Sequence, residues 1–327
     1  MNIVITGSIA FDYLMRFPGN FLDHVKPDRI QKLSLSFLVD EMVKRRGGCA
    51  PNIAYSLALL GEHPIVMGTA GQDFEEYRQW LEAQGVDTSA IKVVPELFTA
   101  SFFATTDEDL NQIASFYTGA MADARTLSFH DFTAPVDLTI ISPNDPEAMD
   151  KYPRECRELG IPYIYDPSQQ VVRSSPESLR NGVVGADILI VNDYEYELLK
   201  DRTGMDDVEI RGAVERAVIV TQGAEGALIW AEEALRKPEV APLHIPAVPP
   251  REILDPTGVG DAFRSGLIKG LALGLPWAAC GRIGSLAATY VLETKGPQAH
   301  SYTLGSFVER YKAAFGEGET TAALQLH

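Results

Sequence analysis

Residues 255–261, Asp-Pro-Thr-Gly-Val-Gly-Asp, set a carboxylate at each end of a turn with two glycines, then run straight into the apolar-periodic stretch 262–274. Gly258 and Gly260 permit backbone conformations and a closeness of approach that side chains forbid. A helix beginning near Asp261 aims its free N–H groups and the positive end of its dipole into that turn. The pattern points to an oxyanion held by amides beside a carboxylate base. Such a pair could remove a proton and stabilise a developing negative charge, though alone the pattern is only suggestive. An isolated aspartate at a helix start more often serves only as its N-cap. In residues 45–61, RRGGCAPNIAYSLALLG, a glycine pair lets backbone approach a ligand and Asn52 offers hydroxyl groups both a donor and an acceptor, although by itself the segment reads as a glycine turn with an Asn cap.

These groups need a scaffold. The chain has 327 residues, 46% hydrophobic and 22% charged, enough for one large domain with an appendage. Short β-rich runs (NIVITG, PIVMGTAG, DLTIIS, PYIYDPS, DILIVND, RAVIVTQG, ALIWA) alternate with helical patterns or short turns, which predicts a parallel sheet covered on both faces. Two stretches break the rhythm. Residues 13–44 are polar and contain proline, and residues 97–118 read as two strands around the acidic turn DEDLN. Both are assigned to a small β-rich lid, leaving 1–12, 45–96 and 119–327 as the large α/β domain. Helical patterns near 261–273, 276–292 and 304–315 close the domain, and GEGETTAALQLH reads as a frayed tail.

Composition excludes several classes. A net charge of −17 with no offsetting Lys/Arg cluster argues against nucleic acid as a partner. No long apolar run predicts a membrane span, and the strand-like N-terminus has no basic leader, so a cytoplasmic location is expected. Cys49, Cys156 and Cys280 are too sparse for a disulfide framework and read as buried thiols, and the six histidines form no HxxxH or HExxH pair. There is neither a G-x-x-x-x-G-K-[ST] loop nor a G-x-G-x-x-G after the first strand.

Taken in order along the chain, GSIAFD, RRGGCAPNIAYSLALLG, GTAGQD (68–73), NDYEYELL, TQGAEGALI and DPTGVGD resemble the successive signatures of the ribokinase-like PfkB kinase family. The last departs from the family's D-T-x-G-A-G-D at Pro256 and Val259, changes that leave the backbone amides in place. The resemblance implies a three-layer α/β sandwich with a mostly parallel central sheet and a β-rich lid. It implies that Asp261 is the base and that the amides of Gly258, Val259 and Gly260 hold the transferring phosphoryl group. Asp12 would grip sugar hydroxyls, Asn192 and Glu195 would order Mg²⁺ and the phosphates of ATP (Glu195 through water), and Thr221, Gly223 and Gly226 would form the nucleotide loop. Members often bind a monovalent cation near the catalytic turn. Asp255 and Thr257, with carbonyls of residues 293–298, are the expected K⁺ ligands.

The acceptor is read from the lid, which carries Phe102, Phe103, Phe116 and Tyr117 on two strands. A purine face gains roughly 1–3 kcal/mol on an aromatic ring. Alternation sends Phe102 and Phe103 to opposite faces, so at most one of them meets a given base. Composition alone favours rings that glue the lid to the sheet or to another subunit, and exposed aromatic edges pair readily, so a lid-mediated homodimer is compatible. QIASFYTGAM and YDPSQQ are similar to segments of the adenosine kinase branch of the family. That likeness implies base stacking by Phe102 and Phe116, a substrate contact by Gln169 and Gln170, and a ribose side lined by Ser8, Asp12, Ser36, Gly48 and Asn52. The implied activity is ATP-dependent phosphorylation of the adenosine 5′-hydroxyl. A ribokinase or fructokinase would use the same base, and a non-catalytic nucleotide or sugar sensor would have no need of Asp261.

Overall fold

The computed structural model describes residues 1–24 and 35–325. Among them, nine strands form a sheet in the order Leu243–Ile245, Ala227–Ala231, Ala217–Thr221, Ile188–Asn192, Tyr163–Tyr165, Leu138–Ile141, Ile3–Thr6, Ile65–Gly71, Ile91–Val94. From Ala217–Thr221 to the last of these every neighbouring pair is parallel, and only the pairings at the Ala227–Ala231 edge are antiparallel. Buried on both faces, the central strands read as almost unbroken β-branched runs, such as ILIVN and AVIVT. Alternation delivers Ile188, Ile190 and Ile219 to one apolar layer and Leu189, Val191 and Val218 to the other. Helices Cys49–Leu59, Glu75–Ala83 and Val259–Ala272 cover the first face, and helices Pro146–Leu159, Pro176–Val183 and Asp193–Thr203 the second.

The strand Ile3–Thr6 has Ile65–Gly71 on one side and Leu138–Ile141 on the other, so the strand order reverses at this point. A crevice opens at the carboxyl ends of such strands. Ser8 lies there, its N–H on the Pro143 carbonyl at 2.8 Å and its own carbonyl taking the Ala50 N–H at 3.3 Å.

A separate four-stranded sheet, ordered Glu41–Gly47, Ala10–Arg16, Ala100–Thr106, Gln112–Tyr117, forms the lid. It takes in residues 10–12 and 45–47, which the sequence reading gave to the large domain, because the ladder from Ala10↔Gly47 to Arg16↔Glu41 continues without a break. The frayed tail is also corrected. Residues 319–325 form a helix, and Thr321 and Leu324, three apart and buried, give it one packed side; Leu324 clusters with Phe307, Val308 and Tyr311. Cys156 and Cys280 are buried and Cys49 partly so, all three as free thiols. Among the described residues no helix is long and apolar enough to cross a membrane.

Candidate active site

The candidate catalytic turn is fixed by Gly258. As N-cap of the helix Val259–Ala272 it has φ +81°, and a Cβ there would lie 2.5 Å from that of Pro297. The N–H groups of Gly260 and Asp261 fall in the helix's first turn, which offers them no intrahelical acceptor. Gly48 has the same character: with φ +94°, a Cβ would meet the Ser8 carbonyl oxygen at 2.4 Å. The start of helix Cys49–Leu59 thereby sits against Ser8, whose hydroxyl accepts the Cys49 N–H at 3.3 Å.

Asp261 is half-buried, and its Oδ2 accepts a hydrogen bond from Asn52 Nδ2 at 2.9 Å. Burial pushes its carboxyl up to about 6, with the Arg264 charge and the Asn52 hydrogen bond pulling the other way. A carboxylate of that strength is ionised at neutral pH yet basic enough to take a proton. Asn52 is itself held: its Oδ1 accepts from Gln298 Nε2 at 2.7 Å, and that same nitrogen lies 2.6 Å from the Tyr77 hydroxyl, which donates to the Gly47 carbonyl at 3.0 Å. Instead of turning both ends of its amide toward a ligand, Asn52 aims the carboxylate. One turn on, Arg264 grips Asp166 through Nη2 at 2.6 Å and Nε at 2.5 Å, with both side chains buried. Burial drives the Asp166 carboxyl up to about 7 against the opposing Arg264 charge.

The lid brings a row of side chains to one face. Arg45, Asp12, Phe102 and Phe116 stand directly opposite one another across the four strands. Phe103 points to the other face and stacks on Tyr13 with centroids 4.8 Å apart. Phe102 is half-buried and Phe116 is 41% exposed. Arg45 ties the row to the catalytic turn, its Nη1 2.9 Å from Asp255 Oδ2. Burial lifts the Asp12 carboxyl to about 6, with Arg45 opposing and Asp255 adding to the rise. Asp255 is engaged on both oxygens, since Oδ1 accepts the Thr257 N–H at 2.9 Å. Despite partial burial, the Thr257 and Arg45 contacts hold its carboxyl below the ordinary range.

Of the residues expected to hold the nucleotide, Asn192 and Thr221 are register partners at the ends of adjacent strands. Asn192 and Glu195 form a reciprocal capping box at 2.7 and 2.8 Å, which orients the Glu195 carboxylate at the helix start. Gly223 and Gly226 lie in the following loop, closed by Gln222 N–H on the Gly226 carbonyl at 2.7 Å. The Gln169–Gln170 pair divides: Gln169 is exposed, and Gln170 is buried with Nε2 on the Asn144 carbonyl at 2.8 Å. Ser36 is exposed in the connection leading to strand Glu41–Gly47 and shares none of these contacts.

Residues 10–303 match the PfkB family of carbohydrate kinases. The chain belongs to that family. As a PfkB kinase it is a phosphotransferase acting on a hydroxyl, and its fold is the ribokinase-like one. The nucleoside kinase of Burkholderia thailandensis, in complex with inosine, aligns at 37% identity with a TM-score of 0.83, covering 96% of this chain and 98% of that one. The nucleoside kinase of Methanocaldococcus jannaschii, an archaeal member of the ribokinase family, gives 0.82 at 26% identity, with 96% and 99% covered. In sequence, the nucleoside kinase of Methanothermobacter thermautotrophicus is 30% identical over 323 residues, 96% of this chain and 97% of its own.

Sequence reasoning did not single out five residues that the structure ties to the candidate site: Arg45, Tyr77, Asp166, Arg264 and Gln298. One signal was present. A charged residue inside the apolar helical stretch 262–274 must find a partner once buried. Arg264 finds Asp166, and Lys269 finds Glu62 at 2.6 Å.

Proposed function

We propose that the protein is an ATP-dependent nucleoside kinase that transfers the γ-phosphoryl group of MgATP to the 5′-hydroxyl of adenosine, giving AMP and ADP. The observation that carries this reading is the lid row. A sugar-gripping carboxylate, Asp12, stands beside two aromatic rings, Phe102 and Phe116, on the lid face that Arg45 joins to the catalytic turn. A bare pentose has no flat surface to cover such rings, whereas a purine nucleoside has one next to its ribose. The nucleoside kinases among the relatives support the same class, and the Burkholderia thailandensis protein has been captured with ADP and inosine.

In the proposed reaction Asp261, held by Asn52, takes the proton of the 5′-hydroxyl as its oxygen attacks the γ-phosphorus in line, while the turn amides of Gly258, Val259 and Gly260 receive the phosphoryl oxygens. Ser8, Gly48 and Asp12 flank the ribose, with Ser36 assigned to the same side. Thr221, Gly223 and Gly226 take the nucleotide. Lid closure excludes water, which would otherwise compete as acceptor. The donor set fits Mg²⁺ held largely through water. Glu195 presents a half-buried carboxylate whose charge acts on Asp166 and Arg264, and among the described residues no three His, Cys, Asp or Glu side chains form a metal cage. When bound, the ion neutralises charge on the transferring phosphates.

The deciding experiment is ADP release from MgATP with adenosine, inosine, ribose and fructose in parallel. Turnover with adenosine and little with ribose is expected. Turnover with inosine alone would move the acceptor to another purine nucleoside, and turnover with ribose or fructose alone would return the rings to lid packing. Phe102→Ala and Phe116→Ala should each raise the nucleoside KM about tenfold, as loss of stacking predicts, and leave the ATP KM unchanged. Equal losses for both ligands would show that the rings only hold the lid together. The pH profile of kcat/KM should fall below an inflection near 6, where Asp261 gains its proton.

A further inference from the structure

The place where a monovalent cation was expected is already filled by protein. Of the expected ligands, Asp255 has one oxygen on the Thr257 N–H and the other on Arg45, both at 2.9 Å. The Arg45 stem lies over Gly296, where a Cβ would come within 3.3 Å of its Cδ, so the side chain runs between Asp255 and the 293–298 segment that was to supply carbonyls. Its surroundings are hostile to another cation. A cavity of about 240 Å³ beside the turn is lined by Lys44, Arg45, Arg46 and Lys295 against one carboxylate, Glu76.

We propose that Arg45 is the fixed cation of the catalytic turn, a positioning residue that takes the place of K⁺ so that transfer proceeds without a monovalent metal ion. The inference rests on the kinase reading above. Without a counter-charge, the Asp255 carboxylate at the mouth of the turn would repel the incoming phosphates. A guanidinium stays charged at every working pH and binds a carboxylate with defined geometry. Because Arg45 belongs to the lid strand Glu41–Gly47, this charge is delivered by the lid, and its seating and the electrostatics of the turn are one event.

The test compares parent, Arg45→Lys, Arg45→Gln and Arg45→Ala in potassium, sodium and tetramethylammonium chloride at one ionic strength. Parent turnover should be the same in all three salts. Arg45→Ala and Arg45→Gln should lose about 10–100-fold in kcat in tetramethylammonium, with K⁺ or added guanidinium ion restoring much of it, and Arg45→Lys, which keeps the charge without the planar fork, should lose less than either. Melting temperature gives a readout free of turnover: K⁺ in place of tetramethylammonium should leave the parent unchanged and raise that of Arg45→Ala. A parent that depends on K⁺ in rate or melting overturns the proposal. So does a variant whose loss lies only in nucleoside KM and ignores every cation, which would make Arg45 a mere prop for Asp12. If the parent turns over no nucleoside, the nucleoside reading falls, and the melting comparison still decides whether Arg45 fills the cation site.

Discussion

Asp261→Asn is expected to lose about 10²–10⁴ in kcat while the fold stays intact, the range for removing a positioned general base. Asparagine keeps the shape and an oxygen to accept the Asn52 hydrogen bond, so only proton removal is lost. Its effect on stability has the opposite sign. The native carboxyl titrates near 6 and its ordinary value is 3.8, so between those pH values the folded protein binds more protons than the unfolded chain. Stability contributed by this group therefore falls as pH rises from about 4 to 6 and stays lower above that. Asparagine escapes the penalty. The variant should melt no lower than the parent at neutral pH, and the difference should fade below pH 4. The acid limb of kcat should also vanish, whereas kcat/KM keeps one from Asp12, whose carboxyl is likewise raised to about 6. Near-normal turnover would remove Asp261 from the mechanism, and a drop in rate with a drop in melting temperature would indicate collapse of the turn instead.

Breaking the Asp166–Arg264 pair should be the costliest single change to stability. Asp166→Ala leaves a buried guanidinium uncompensated, for which a loss of roughly 3–5 kcal/mol is expected. Urea denaturation measures it, and a loss under about 1 kcal/mol would mean that water reaches the pair. Replacing both partners, as in Asp166→Asn with Arg264→Met, should recover part of the loss because no buried guanidinium is left without Asp166, while Asp261 loses the charge that opposes its burial. The double variant also reports on catalysis. Arg264 pulls the Asp261 carboxyl down, so without it the inflection near 6 should move up. An unmoved inflection would show that Arg264 acts on the fold alone.

What the sequence revealed and what it concealed divide along sequence separation. The turn of Asp261 and the Gly48–Asn52 segment were legible because each is a local string in which glycines and helix-start groups fall within a few residues. The strands were legible because burial on both faces leaves an apolar run. The ties between segments left no such mark. Arg45 to Asp255 spans 210 residues, Gln298 to Asn52 spans 246 and Arg264 to Asp166 spans 98, and nothing in a string of letters pairs them. Asp166 stood inside YDPSQQ, yet that segment drew notice for its glutamines, of which Gln169 turned out to be exposed. Asn192 and Glu195 look like a metal-ordering motif in sequence, and in the structure they first satisfy each other at a helix start. The tail was misjudged because its short helix is held by two side chains against a neighbour that the sequence cannot place.

The lid ladder limits how this protein can drift. Asp12, Phe102 and Phe116 share one face only because they occupy one line across three strands. One residue inserted or deleted in Ala100–Thr106 ahead of Phe102 would turn every later side chain of that strand to the far side, bringing Phe103 inward and carrying Phe102 out. Point substitution at the two ring positions leaves this ladder intact, whereas the turn 107–111 is itself pinned by the buried Asp107, whose carboxylate accepts from the backbone N–H groups of Phe21, Asp109 and Asn111. The length of the strands themselves is the inheritance that descendants must keep.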